Sequence, residues 1–342
     1  MNPRAAIFGC GGLDLSVEER SFFRDADPLG FILFARNIET PEQARRLVDE
    51  LRTSVGRAEA PVLIDQEGGR VARLKPPHWR KAPPARLLGE PYERDPARGL
   101  EVTRLNSHLL AADVASIGCD VDCLPVLDVA FPETHAVIGD RAYASAPGAV
   151  AALGRAAAEG LLAQGVMPVI KHIPGHGRGT TDSHHTLPTV DTPLDGLERS
   201  DFLPFALLAD LPWAMTAHVL YTAIDPDAAL TVSARGVQKV VRNQIGFGGL
   251  LLSDDPSMQA LGGSLGERAA RAVHAGCDIA LHCNGRMDEM REIVDRVEAM
   301  TAMAMRRFDN GRHYLARHRA PLGAEGLAEA RRTLASHLPE WG

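Results

Sequence analysis

Val166-Met167-Pro168-Val169-Ile170 runs without a break into Lys171-His172-Ile173-Pro174-Gly175-His176-Gly177-Arg178-Gly179-Thr180-Thr181-Asp182-Ser183-His184-His185-Thr186-Leu187-Pro188. The first five residues are apolar throughout, as in a strand covered on both faces. From Lys171 onward the chain has neither helical nor strand period, and the next helix-like pattern begins only near Leu194. Connections longer than about 12 to 15 residues are unusual in compact domains and are mostly functional. Gly175, Gly177 and Gly179 permit backbone conformations that other residues resist. The four histidines, lysine and aspartate on this segment titrate or bind ligands, which favours an active-site loop over a mobile connection carrying solvated histidines.

Seven more short apolar runs recur along the chain: Ala5 to Phe8, Gly30 to Phe34, Pro61 to Ile64, Cys119 to Leu124, Ala214 to Thr216, Gly249 to Leu252 and Cys277 to Leu281. Between them lie helix-like patterns, at Pro41 to Val55, Gly99 to Ile117, Gly148 to Gln164, Ser233 to Ile245, Glu267 to Ala275 and Met287 to Met305. Fully apolar strands alternating with helices predict a parallel sheet covered on both faces, and eight such units suit a closed (β/α)8 barrel. The alternative is an open doubly wound sheet, but Gly9-Cys10-Gly11-Gly12-Leu13-Asp14 lacks the Gly-x-Gly-x-x-Gly turn expected after its first strand. At 342 residues the chain fits one barrel domain over 1–342, with a helical tail from about residue 312. Lys75 to Arg86, rich in proline and arginine, reads as a long loop.

Composition narrows the function. Hydrophobic residues make up 45% and charged residues 24%, as in ordinary globular proteins. A net charge of -7 gives no reason to expect nucleic acid or an anionic membrane as partner; a small ligand fits better. The five cysteines include no Cys-x-x-Cys pair, against both a disulfide framework and a structural zinc site. No signal-peptide pattern and no run of about 18 apolar residues is present, so a cytoplasmic enzyme is expected.

In a barrel, residues at the C-terminal strand ends meet at one mouth, where the active sites of this fold lie. Here they are Asp65, Asp128, Lys171, His172, His218, Asp254, His282 and Asn284. Any one of them could instead be a hydrogen-bonded core residue, and for His218 and His282 the two readings weigh equally. Asp254 and Asp255 are adjacent and should point to opposite faces. Asp255-Pro256 reads as a helix N-cap followed by proline at the first helical position, which leaves Asp254 for chemistry. A carboxylate at such a mouth suits attack on a sugar carbon, and His184, oriented by Asp182, could protonate the leaving oxygen. Asp65-Gln66-Glu67-Gly68-Gly69-Arg70-Val71-Ala72-Arg73 combines a strand-end acid with two arginines at i, i+3. That is either a clamp for adjacent sugar hydroxyls or an intramolecular salt bridge.

Lys171-His172-x-Pro174-Gly175-His176-Gly177 with Asp182-Ser183-His184 resembles the signature of the bacterial β-N-acetylglucosaminidases of glycoside hydrolase family 3. The likeness continues through Ile32-Leu33-Phe34-Ala35-Arg36-Asn37, Asp65 to Arg70, Ile138-Gly139-Asp140-Arg141, Met215-Thr216-Ala217-His218-Val219 and Ser253-Asp254-Asp255-x-Ser257-Met258, in order, over about residues 5 to 310. It implies a (β/α)8 barrel that removes terminal β-linked N-acetylglucosamine with retention, in the cytoplasmic peptidoglycan-recycling branch acting on N-acetylglucosaminyl-1,6-anhydro-N-acetylmuramyl peptides. By position it makes Asp254 the nucleophile and His184 the acid/base with Asp182 behind it. Asp65, Arg73, Arg141, Lys171 and His172 would then hold the sugar. No cofactor and no metal are implied, and a monomer is expected. The chain departs from the usual pattern at Ile173, Pro256 and Leu230-Thr231, positions that bear on loop shape and aglycone preference.

Three rival readings remain. A metal-dependent barrel hydrolase could use His172, His176, His184, His218 and Asp254 as ligands, although the first strand lacks a His-x-His and Lys171 beside the cluster disfavours a cation. A Schiff-base lyase could use Lys171. A sugar-binding protein without catalysis would have no use for Asp254, Asp182 and His184 together.

Overall fold

The computed structural model describes residues 2–182, 186–258 and 261–341. Eight parallel strands carry the fold: β1 (Arg4–Phe8), β2 (Pro28–Leu33), β3 (Val62–Ile64), β4 (Val121–Asp122), β5 (Met167–Ile173), β6 (Trp213–Thr216), β7 (Leu250–Leu252) and β8 (Ala280–His282). Each of β1 to β6 pairs with the next in sequence, and β8 returns to β1 with Ala6 level with Ala280 and Phe8 level with His282. A parallel bridge between Leu252 and Ile279 joins β7 to the approach of β8 and closes the barrel. The eight apolar runs are these strands. Side chains fill the interior on one face and the surrounding helices cover the other, so every residue of β2, β3, β5 and β7 is buried.

Helix boundaries follow local chemistry. Ser16 and Glu19 close a capping box at the start of Val17–Ala26, and Thr40 caps Pro41–Ser54, whose proline occupies the first turn. The expected helix over Met287 to Met305 is instead two helices, Met287–Val294 and Ala302–His318. The Arg4 guanidinium donates to the carbonyls of Val294 and Val297, while Ala5 N–H bonds Glu298 O and Met300 N–H bonds Pro3 O. Backbone pairing with the start of β1 therefore draws the intervening segment out of helix. Its apolar stripe misleads because Met290, Ile293, Val297 and Met300 stay buried across the break. Of the two helices, Ala302–His318 lays Phe308 against Trp213 of β6, and a last helix, Ala324–His337, packs against Pro96–Ser116. Part of the stretch Lys75 to Arg86 is loop as expected, but a helix begins at Ala85.

The segment after β7 also departs from expectation. Asp255 caps no helix: its carboxylate accepts the N–H of Ser257 in a tight turn, and the next helix, Leu265–Ala275, starts from its own Ser264–Glu267 capping box. Nor is the stretch after β3 helical. Gly68 and Val71 pair across a turn in which Gly68 has φ +102°, and a Cβ there would lie 2.2 Å from the Pro83 carbonyl oxygen.

Candidate active site

At the C-terminal end of the barrel lies a cavity of about 500 Å³, walled by side chains that follow β2, β3, β4, β5, β6, β7 and β8. Asp65, Arg73, Arg141, Lys171, His172 and Asp254 all line it. So do Glu67, His176, Asp255, Met215 and Met258, which motif spacing alone does not assign to substrate. Successive strand residues normally face opposite sides. A register irregularity against β6 between Ile170 and Ile173 accompanies the turning of both Lys171 and His172 into the cavity.

Two clusters of paired polar side chains form its floor. Lys171 Nζ sits 2.9 Å from Asp65 Oδ1 and 2.6 Å from Glu67 Oε1. Arg73 reaches the second Asp65 oxygen at 2.9 Å, and Arg141 grips both Glu67 oxygens at 2.8 Å. Burial pushes the Asp65 carboxyl up, but Lys171 and Arg73 outweigh it and hold it well below the usual carboxylate range. Burial likewise opposes ionisation of Glu67, and Arg141 with Lys171 brings it down to about 2. Lys171, which burial alone would lower, is raised by the same two carboxylates. The salt-bridge and sugar-clamp readings thus merge: charges fixed by one another present N–H donors and carboxylate acceptors to a ligand.

His172 belongs to the second cluster. Its Nδ1 lies 2.7 Å from Asp128 Oδ2, and the other Asp128 oxygen accepts the N–H groups of His172 and His176. Asp128 is wholly buried; that burial raises its carboxyl, yet His172 and His176 bring it down to about 2. With Nδ1–H given to Asp128, the Nε2 of His172 is the nitrogen left for a ligand. His176 is buried beside it, and its imidazole is pushed down to about 4, chiefly by desolvation. Neither histidine is a solvated loop residue.

Asp254 and Asp255 both border the cavity, contrary to the expected alternation, because the strand has ended at Leu252. Asp254 Oδ1 accepts the Asp255 N–H at 2.8 Å. Among the described residues no cation pairs with Asp254, whereas Asp65 and Glu67 are each held by two. His218 is a core residue, bonded to Thr231 Oγ1 at 2.8 Å and to the Asp255 carbonyl at 3.0 Å. His282 is likewise buried behind the wall, while Asn284 lines the cavity.

The first half of the long loop is fastened down. Gly177 packs so closely on the Val129 carbonyl that a Cβ would lie 1.8 Å from its oxygen, and Gly175 has φ +134°. Thr134 Oγ1 donates to Gly177 O, and the Tyr221 hydroxyl donates to Gly175 O. Asp182 is half-exposed and is not among the described cavity-lining residues. His184 lies outside the described residues. Among the described residues no helix is long and apolar enough to cross a membrane, and no three His, Cys, Asp or Glu side chains gather as metal ligands.

Lys171→Met tests the floor. Removing the shared cation leaves two buried carboxylates short of a partner, which should cost about 3 kcal/mol of stability at neutral pH. In the parent both carboxylates titrate below their ordinary values. Their contribution is therefore complete above about pH 4.3 and is lost as the pH falls toward about 2. In the variant both carboxylates titrate closer to their unfolded values, so the stability lost on acidification should be smaller than in the parent. Thermal unfolding recorded from pH 7 to pH 3 checks this, and an unchanged profile would refute it.

The glycosyl hydrolase family 3 N-terminal domain model matches residues 13–317. A β-hexosaminidase of Alkalilimnicola ehrlichii is 40% identical over 282 residues, 81% of this chain and 80% of its own length. One of Nitrosomonas eutropha is 42% identical over 267 residues, 75% of this chain and 73% of its own. Among solved structures, NagZ from Neisseria gonorrhoeae in complex with N-trifluoroacetyl-D-glucosamine superposes with a TM-score of 0.87 at 29% identity, over 100% of this chain and 99% of that one. Eight barrel strands, a charged cavity at their C-terminal ends and relatives matched over most of their length agree: the chain is a glycoside hydrolase and belongs to glycosyl hydrolase family 3.

Proposed function

We propose that the protein is a retaining exo-β-N-acetylglucosaminidase acting in the cytoplasm on N-acetylglucosaminyl-1,6-anhydro-N-acetylmuramyl peptides. The observation that carries the mechanism is the contrast among the cavity carboxylates. Asp65 and Glu67 are tied to Lys171, Arg73 and Arg141, while Asp254 faces the same space without a cation among the described residues. A carboxylate so placed is the nucleophile. Asp65, Arg73, Arg141, Lys171 and His172 hold the terminal sugar through its hydroxyls, and His184, oriented by Asp182, serves as acid and then base. The β-hexosaminidase relatives, and a structural neighbour solved with an N-acylated glucosamine analogue, support the sugar class.

In this mechanism Asp254 attacks the anomeric carbon as the glycosidic oxygen takes a proton from His184, and the departing alcohol leaves a glycosyl ester. Water, deprotonated by His184, then displaces the carboxylate at the same carbon. Two displacements restore the configuration, so N-acetylglucosamine should first appear as the β-anomer. Proton NMR of the first turnovers reads this directly, and initial α-anomer would sink the retaining route. Aryl β-N-acetylglucosaminide should be cleaved in strong preference to the glucoside and the N-acetylgalactosaminide. Equal turnover of all three would overturn the sugar assignment.

A further inference from the structure

His282 ends β8 with its side chain fully buried, and among the described residues neither ring nitrogen has a hydrogen-bond partner. Two carboxylates flank it. Nε2 lies 3.4 Å from Glu289 Oε2 and Nδ1 lies 3.8 Å from Asp255 Oδ1, while Phe8 meets the ring edge-on from β1. Burying an imidazole without partners is unfavourable, and apolar residues fill most of the surrounding barrel. A carboxylate acceptor thus stands on each side of the ring. An approach of about 1 Å by Asp255 would close the longer contact to hydrogen-bond length.

Asp255 is the neighbour of Asp254 and is held at every polar group. Its N–H donates to Asp254 Oδ1 at 2.8 Å, its carbonyl accepts from His218 at 3.0 Å, and its carboxylate accepts the Ser257 N–H at 2.9 Å. Glu289 is also anchored, taking the Asn284 amide at 3.2 Å and lying 3.2 Å from the Arg286 guanidinium. We propose that His282 is a positioning residue for Asp254, bridging Glu289 to Asp255 so that the Asp255 N–H fixes one Asp254 oxygen and leaves the other aimed into the cavity. The bridge touches no substrate and rests on the reading of Asp254 as nucleophile.

Two substitutions separate this role from packing. His282→Leu fills the space without a donor, and His282→Gln keeps an N–H toward one carboxylate. Misplacing a reacting atom by about 1 Å can cost about 100-fold in rate. His282→Leu should therefore lower kcat on an aryl β-N-acetylglucosaminide by about 10- to 100-fold, with the inhibition constant for N-acetylglucosamine within about twofold of the parent. His282→Gln should lose less than Leu. A packing role reverses that order, because leucine suits an apolar site better than glutamine. Parental kcat in His282→Leu, equal losses in both variants, or loss confined to binding would each overturn the proposal. Should both variants fail to fold, Glu289→Gln at a partly exposed side chain should lower kcat by about three- to tenfold at unchanged binding, and parental kcat there would also overturn it. Asp254→Ala in the same assay keeps the two readings apart. Residual turnover there removes the nucleophile assignment, whereas an inactive Asp254→Ala beside a fully active His282→Leu removes only the bridge.

Discussion

Asp254→Ala should lower kcat by on the order of 10⁴-fold or more while the protein unfolds at close to the parental temperature. Its side chain is half-exposed at the cavity wall, pairs with no cation among the described residues and fills no core space, so the fold has little to lose. The chemistry loses its nucleophile. Asp255→Ala should behave differently: the Ser257 N–H loses its acceptor, the turn loosens, and the melting temperature falls along with a smaller loss of rate. Steady-state rates on an aryl β-N-acetylglucosaminide with parallel thermal unfolding distinguish them. An active Asp254→Ala beside an inactive Asp255→Ala would exchange their roles.

The second large effect concerns His184 and depends on the leaving group. Dinitrophenolate departs readily without a proton, whereas a sugar alcohol does not. General-acid assistance is worth about 10² to 10⁴ in rate. His184→Ala should therefore slow glycosyl-enzyme formation by that factor for a disaccharide and only slightly for a dinitrophenyl glycoside. Asp182→Asn should show the same dependence more weakly, since the imidazole remains. Single-turnover rates across a leaving-group series decide the matter: losses that are equal throughout would remove both residues from the proton transfer.

The barrel is legible in the sequence because a strand buried on both faces must be apolar throughout, and eight such runs alternate with amphipathic segments. Break points inside helical patterns are not. The stripe from Met290 to Met300 stays buried whether or not its backbone is helical, and what unwinds it is the start of β1, distant in sequence. At the site, Asp65, Arg73, Arg141, Lys171, His172 and Asp254, which the family resemblance singles out, line one cavity. Glu67 escapes a reading by motif, although it sits two positions after Asp65 and so shares its face of the extended chain. Asp255 misleads because an Asp-Pro pair opens a tight turn as readily as a helix, and local sequence does not choose between them. For His282 the sequence leaves both readings open. Its surroundings come from the β7 loop and a later helix, and no local pattern records that meeting.

The pairing of β8 with β1 also constrains how the molecule is made. The two strands are the first and last of the barrel, so their pairing has the greatest sequence separation of any strand pair in it, and such pairing is slow to form. A nascent chain released before Ala280 would present β1 and β7 as unpaired edges, the kind of surface on which chains associate with one another. Such a chain would also lack the Cys283 and Asn284 wall of the cavity. Truncations ending before β8 should therefore accumulate as insoluble material. Chains carried past residue 285 should be the first with a sheet able to close, so solubility and ligand binding should arise together late in synthesis.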